Sequence, residues 1–292
     1  EFRRVLFRSN ILKRIILSTI ISVMVLNANS DVYLNTGVKN YSNAKTKVDG
    51  KTNSIGINYN YKNSYINLNY SKDEVNREDP VTKISIEQLN VKKYNLNYKY
   101  KFNDKLTLKT NYIKIIDNLA PTDQGKIYGV GIKYNYFKGL GTSFDVYRSD
   151  YKTFNVNQYD LSVFKGFKIG AIKSKVTLIA KKIEIDGDKY GSYSFEDKDY
   201  FTTGIKLNGT YNGYVGAIGS YFGKRIFSVL QDGSKVQHHA MEQDRTYMLS
   251  FGKKFKNSDL VASYSYQNGK ELPEKTNDVD TKVLSLMFKY KF

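Results

Sequence analysis

Residues 91–102 put Tyr94, Leu96, Tyr98, Tyr100 and Phe102 on one parity and Asn95, Asn97, Lys99 and Lys101 on the other. Successive side chains of a β-strand point to opposite faces, so such a segment has one apolar and one polar face. A helix would scatter both sets around its axis. Residues 126–137 repeat the pattern: Tyr128, Val130, Ile132, Tyr134 and Tyr136 oppose Gly129, Gly131, Lys133 and Asn135. Period-two alternation recurs at 32–40, 54–61, 64–71, 105–116, 141–150, 155–165, 173–184, 200–211, 214–222, 245–255, 259–267 and 282–292. Many of these fourteen segments approach the length of about 9–11 residues that a tilted transmembrane strand needs.

The connections sort by parity. The odd-numbered ones are mostly long, as at Lys72–Asn90, Ile185–Asp199, Gly223–Asp244 and Asn268–Thr281. The even-numbered ones are mostly tight, as at Lys62-Asn63, Asn103-Asp104, Asn212-Gly213 and Lys256–Ser258, where Asn-Gly is a hairpin signal. The link between the seventh and eighth segments is a short exception. Long loops at one end and short turns at the other predict an all-β, 14-stranded antiparallel up-and-down transmembrane barrel, with short periplasmic turns and long extracellular loops. A soluble β-sandwich would alternate too, but would not give this parity of loop lengths.

The last segment carries the most specific motif. Leu284, Leu286, Phe288, Tyr290 and Phe292 alternate with Ser285, Met287, Lys289 and Lys291, and the sequence stops on Phe292. This resembles the C-terminal assembly signal of Gram-negative outer-membrane proteins, which implies a barrel-assembly machinery as partner. At the other end, residues 1–9 resemble a translated sequencing adapter and are set aside. Residues 10–30 read as a signal peptide. Lys13 and Arg14 precede the apolar run Ile15–Leu26, and Ala28-Asn29-Ser30 offers small residues for cleavage. The expected organisation is therefore a leader at 10–30 and a barrel at 31–292.

Composition agrees with this class. The sequence has 26 Tyr and 16 Phe, which suits aromatic girdles, and no Cys, which excludes a disulfide scaffold or a thiolate metal site. The mean hydropathy of −0.52 looks soluble. In a barrel, however, polar lumen residues cancel lipid-facing ones. The net charge of +18 falls to +14 once residues 1–30 are removed. The long connections hold 20 of the remaining 27 acidic residues and come to about −7, so strands and tight turns carry about +21. That charge is threaded through strands and not gathered on one patch, so no nucleic-acid partner is expected.

A charge facing the bilayer midplane costs about 2–4 kcal/mol, so the polar parity must face the lumen. The pore-lining set by this rule includes Lys99, Lys101, Lys109, Lys133, Asp145, Asp160, Lys173, Lys175, Lys206, Lys289 and Lys291. Rings of lysine favour anions, so weak anion selectivity is expected. No segment reads as a plug, and the lumen is expected to be wet. A one-residue slip would move every side chain to the other face. The ninth segment invites one, because Ile183 and Ile185 fall on the parity of Lys175 and Lys181.

Nothing points to catalysis. The two histidines, His238 and His239, are adjacent in a long connection, with Asp232 and Ser234 nearby but no spacing that fixes a nucleophile against a base. No phosphate loop, zinc pattern or dinucleotide fingerprint is present, so no cofactor or metal is expected. Asp73-Glu74 with Glu78-Asp79, and Asp186 with Asp188, lack the calcium-loop pattern and read as solvated loops.

In length, loop parity and terminal strand the chain resembles monomeric 14-stranded porins of the OmpG type. That resemblance implies passive diffusion of ions and small hydrophilic solutes, in contact with outer-membrane lipid and lipopolysaccharide. A second 14-stranded class, the FadL-like transporters of hydrophobic compounds, carries an N-terminal hatch, and the residues before the first segment are too few for one. The competing expectation is a non-conducting barrel that acts in adhesion through its loops.

Overall fold

A computed structural model describes residues 29–292 apart from 120, 138, 191, 192, 274 and 276. The adapter-like stretch and nearly all of the expected leader, residues 1–28, lie outside the described residues.

Among the described residues, fourteen strands close into one antiparallel barrel. They are β1 (Ser30–Ser42), β2 (Lys47–Tyr61), β3 (Ser64–Glu78), β4 (Ser85–Lys101), β5 (Leu106–Asp117), β6 (Lys126–Asn135) and β7 (Leu140–Asp150), then β8 (Asn155–Ile169), β9 (Ile172–Asp186), β12 (Asp199–Tyr211), β13 (Tyr214–Arg225), β16 (Met241–Lys254), β17 (Ser258–Glu271) and β18 (Asp278–Lys291). Two short hairpins interrupt the loops: β10 (Lys189–Tyr190) with β11 (Tyr193–Ser194), and β14 (Val229–Leu230) with β15 (Lys235–Val236). The wall closes where β1 pairs with β18, from Asp31 opposite Lys291 to Ser42 opposite Asp280. Closure leaves no strand edge unpaired, as a bilayer requires.

Every segment read from the alternation is a wall strand. The tight connections gather at one end of the barrel, here called the turn end. At Asn212-Gly213 both residues are left-handed, with φ 47° and 79°, the geometry of a type I′ turn between Tyr211 and its partner Tyr214. The outer face is apolar and exposed, with Leu34, Ile55, Leu96, Val130, Leu161, Leu178, Ile218 and Leu249 among its residues. A water-soluble monomer rarely exposes so continuous an apolar surface. Leu284, Leu286, Phe288, Tyr290 and Phe292 all lie on this face.

Several strands run further toward the loop end than their alternation. β3 reaches Glu78 and β4 begins at Ser85, whereas the period-two pattern covers only 64–71 and 91–102. The cause is a change in the inner face, which turns apolar there at Val75, Leu89 and Val91. The contrast that marks a half-wet strand then disappears. Among the described residues, the bulges lie near the loop end, in β2–β3, β3–β4, β13–β16 and β16–β17. The slip expected in β9 does not occur: its ladders with β8 and β12 are continuous. Ile183 and Ile185 do point inward beside Lys181, and both are buried.

Candidate functional site

Cross-strand partners share a face, so register fixes which residues line the interior. Asn67 pairs with Asn97, Lys99 with Lys109, Lys109 with Gly131, Gly131 with Asp145, Asp145 with Asp160, and Asp160 with Lys181. The eleven residues read as pore-lining all fall on this inner face. They do not form one free ring. Lys109 donates to Asp145 (2.7 Å) and Ser143 (2.6 Å). Asp160 accepts from Lys181 and from the Gln158 side-chain amide. Toward the turn end, Lys101 donates to Asp104 (2.6 Å), Lys291 to Asp259 (2.5 Å), and Lys289 lies 3.5 Å from Asp31. Among the described residues, Lys133, Lys173, Lys175 and Lys206 have no carboxylate within ion-pair distance. Lys133 and Lys175 instead sit 4.8 and 4.6 Å from the centre of the Phe164 ring, and Lys206 sits 5.5 Å from that of Tyr221.

The interior is not empty, contrary to the expectation from sequence. The connection between β13 and β16 folds inward and lays the β14–β15 hairpin against the inner wall. Gln158 of β8 grips Val229 twice: its side-chain N–H donates to the Val229 carbonyl and its oxygen accepts from the Val229 N–H, both at 2.8 Å. Lys181 adds a third bond to the same carbonyl at 3.1 Å. On the opposite side of the hairpin tip, Asn95 and Asn111 both donate to the Gly233 carbonyl at 2.8 Å. These asparagines belong to a chain of side-chain bonds. Asn111 donates to Asn97 (2.7 Å), Asn97 to Asn67 (3.3 Å), Asn67 to Asn58 (2.7 Å) and Asn58 to Asp31 (2.5 Å). Buried amides must find partners, and here they find one another and the hairpin.

The hairpin divides the lumen into two tiers. On the loop side a single apolar cluster fills the barrel. Ile113, Ile115, Ile127, Val156, Ile183 and Ile185 come from the wall, Tyr151 and Phe154 from the β7–β8 link, and Ile226, Phe227, Val229 and Val236 from the folded-in connection. Phe227 is fully buried, its ring 4.9 Å from Phe154, 5.8 Å from Tyr151 and 6.3 Å from Phe195. On the turn side the wall is polar, with the lysines, Asn97 and Asn111. Asp232, at the hairpin tip, points into this polar tier and remains 63% exposed, with its oxygens 3.9 Å from Lys99 and 4.0 Å from Lys109. Enclosure within the barrel, which displaces bulk water from around it, would by itself raise the Asp232 carboxyl, but Lys109, Lys99, Lys206 and Lys181 hold it below the usual carboxylate range.

The other sequence candidates resolve differently. Asp73 is not in a solvated loop. It is an inward residue of β3, 2% exposed, held by Lys39 (2.5 Å) and Lys93 (2.6 Å). The His238 and His239 rings lie 4.2 Å apart, tilted by 41°, within the folded-in connection, and His239 lies edge-on to Tyr41. Burial pushes both imidazoles well below their ordinary value, with Lys93 adding to this at His238 and His238 itself at His239. Among the described residues no group of His, Cys, Asp or Glu is arranged to hold a metal ion. Sequence reading missed Gln158, Asn95 and Asn111 as anchors. The Asp232-Gly233 pair between Val229-Leu230 and Lys235-Val236 is a hairpin signal that was available.

No family model matches this sequence, and no curated protein is significantly similar to it. Solved structures are similar in fold. The Ralstonia pickettii toluene transporter TbuX aligns at 9% identity over 91% of this chain and 90% of its own, with a TM-score of 0.58. The Pseudomonas putida toluene transporter TodX aligns at 8% identity over 90% of this chain and 89% of its own, with a TM-score of 0.54. A bacterial polysaccharide outer-membrane secretin aligns at 7% identity over 90% and 98%, with a TM-score of 0.55. The chain thus has the fold of Gram-negative outer-membrane β-barrels. At these identities the likeness extends to the fold alone.

Proposed function

We propose that this chain is an outer-membrane channel for small hydrophilic solutes, with a preference for anions, and that the β14–β15 hairpin restricts its path. The observation that carries the reading is the polar tier, where Lys133, Lys175 and Lys206 face the lumen with no carboxylate of the described residues at ion-pair distance. Fixed positive charge in a narrow wet passage favours anions. TbuX and TodX are toluene transporters. Lysine and asparagine lining argues for a hydrophilic cargo here, because an apolar solute gains nothing from them. The same reading takes residues 10–30 as an export signal, the loop end as extracellular, the outer leaflet as lipopolysaccharide, and the C-terminal strand from Leu284 to Phe292 as the handle for barrel assembly.

The test is single-channel conductance in a planar bilayer under a KCl gradient. Protein lacking residues 1–30 is compared with a variant in which residues 226–240 are replaced by a short turn. Anion-favouring steps that grow in the variant support the proposal. A folded, heat-modifiable variant that conducts nothing overturns it. One observation favours a second reading, a non-conducting barrel that works through its loops: the loop-side tier is packed with apolar side chains. That reading gains if neither protein conducts.

A further inference from the structure

Asp232 sits where a solute's own carboxylate would sit. It is the only residue of the described hairpin tip that carries negative charge into the polar tier, and two lysine ammonium groups, Lys99 and Lys109, flank it at 3.9 and 4.0 Å. Neither contact is close enough to be a hydrogen bond, and the carboxylate stays largely open to the lumen. Lys109 is already satisfied by Asp145 and Ser143. Beyond Asp232 lie Lys133 and Lys175, which share the Phe164 ring, and Lys206 on Tyr221. Packed against an aromatic face, these ammonium groups are held in place and partly desolvated, so an incoming oxyanion pays little to order them. The single carboxylate of Asp232 offsets only part of the charge of Lys99, Lys133, Lys175 and Lys206.

We propose that this lysine cluster is a binding site for a small polyvalent oxyanion, carrying carboxylate or phosphate groups, and that Asp232 is a tethered competitor for it. The inference deepens the channel reading by naming the solute class, and it rests on that reading only for the direction of transport. Occupancy by the solute and seating of the hairpin tip oppose each other. An anion that takes Lys99 leaves Asp232 only its longer contact with Lys109, and the tip then depends on that contact and on its bonds from Asn95 and Asn111. The coupling is reciprocal, so anything that unseats the tip raises affinity for the anion.

The experiment is calorimetric titration of the folded, detergent-solubilised barrel with citrate and, separately, with inorganic pyrophosphate, each against sodium chloride at equal ionic strength. Saturable binding of either above the chloride control is expected. Citrate alone assigns carboxylate solutes, and pyrophosphate alone assigns phosphate ones. Removing a competitor that occupies the site most of the time tightens apparent affinity by the inverse of the free fraction, so D232N is expected to bind about tenfold tighter. K133Q/K175Q is expected to bind at least tenfold more weakly. Because Asp232 is an exposed tip residue, D232N tests the idea even if the lysine double variant fails to fold. No binding above chloride, or D232N binding no tighter than the parent, overturns the proposal. Conductance of the same samples separates the two readings: conduction without binding removes the site and leaves the channel, whereas binding without conduction removes the channel and leaves the site.

Discussion

The side chain of Gln158 and the backbone of Val229 are joined as two residues of a β-ladder would be, by a donor and an acceptor on each side at 2.8 Å. A carboxamide has the same N–H and C=O pair as a peptide group. Gln158 therefore extends the wall's hydrogen bonding into the lumen and ties a loop to it. Ser228 adds a bond to the same oxygen at 3.2 Å. Gln158→Leu keeps the volume and removes both partners, which leaves the buried Val229 N–H unsatisfied. The expected loss is about 1–3 kcal/mol of hairpin seating. Hydrogen exchange at the Val229 amide should accelerate while exchange in the β8 ladder does not. Unchanged exchange at Val229 would show that the apolar cluster alone holds the loop.

The buried imidazoles make hairpin seating depend on pH. A histidine whose value is lowered in the seated state is neutral there and takes up a proton more readily once released. Seating stability is therefore complete above the free value of about 6.5 and declines as the pH falls below it. The groups facing the pair are Lys39 from β1, Lys47 from β2, Asp73 from β3 and Lys93 from β4. Three are cations, and Asp73 is already shared by Lys39 and Lys93. Limited proteolysis within residues 226–240 should be faster at pH 5 than at pH 8 in a barrel that stays folded. The double variant H238Q/H239Q should flatten the difference, and an identical difference in that variant would count against the histidines.

Gly233 is left-handed, with φ 81°, and a Cβ placed on it would lie 2.7 Å from the Asn111 side chain. Gly233→Ala is strained in backbone and in contact together. It should cost at least about 1 kcal/mol at the tip and break the paired bonds from Asn95 and Asn111. The asparagine chain to Asp31 should survive. Amide side-chain NMR signals of Asn95 and Asn111 should shift while that of Asn58 stays put; a shift at all three would mean that the chain, not the tip, is the stable unit.

The two faces of the wall at β17 and β18 differ in the cost of a charge. Leu286 is exposed on the apolar outer face, and Ser263, on the inner face, pairs across the ladder with Ser285. Leu286→Lys should destabilise folding into lipid vesicles by about 2–4 kcal/mol, whereas Ser263→Lys should cost well under half of that. Urea titration in the same vesicles measures both, and equal penalties would contradict a bilayer around the outer face.

The wall was legible because its chemistry is periodic. Every inward residue between Asn95 and Lys101 is polar and every outward one apolar, so the strand and both faces follow from parity. Legibility failed where the inner face stopped being wet. Ile183 and Ile185 looked like a register slip because a lumen was taken to be polar throughout, and Asp73 looked like a loop residue because Val75 broke the alternation beside it. Both errors have one source. A local pattern records whether a position meets water, and Ile183 shares its dry cluster with Phe227 and Val229, about forty-five residues away in sequence. The hairpin itself was readable from Asp232-Gly233, but its destination was not, since Gln158 carries no local mark of what it binds.

The isoleucines of the loop-side tier hold the connection by a force that hydrogen-bond geometry does not show. With the connection swung out, Ile113, Ile115, Ile127, Val156, Ile183 and Ile185 would meet water along β5, β6, β8 and β9, and Phe227 and Val229 would lose their cover with them. Apolar burial is driven by the release of water from such surfaces, and that drive weakens on cooling. The packed connection is therefore loosest in the cold, where the bonds to Val229 and Gly233 carry more of its hold.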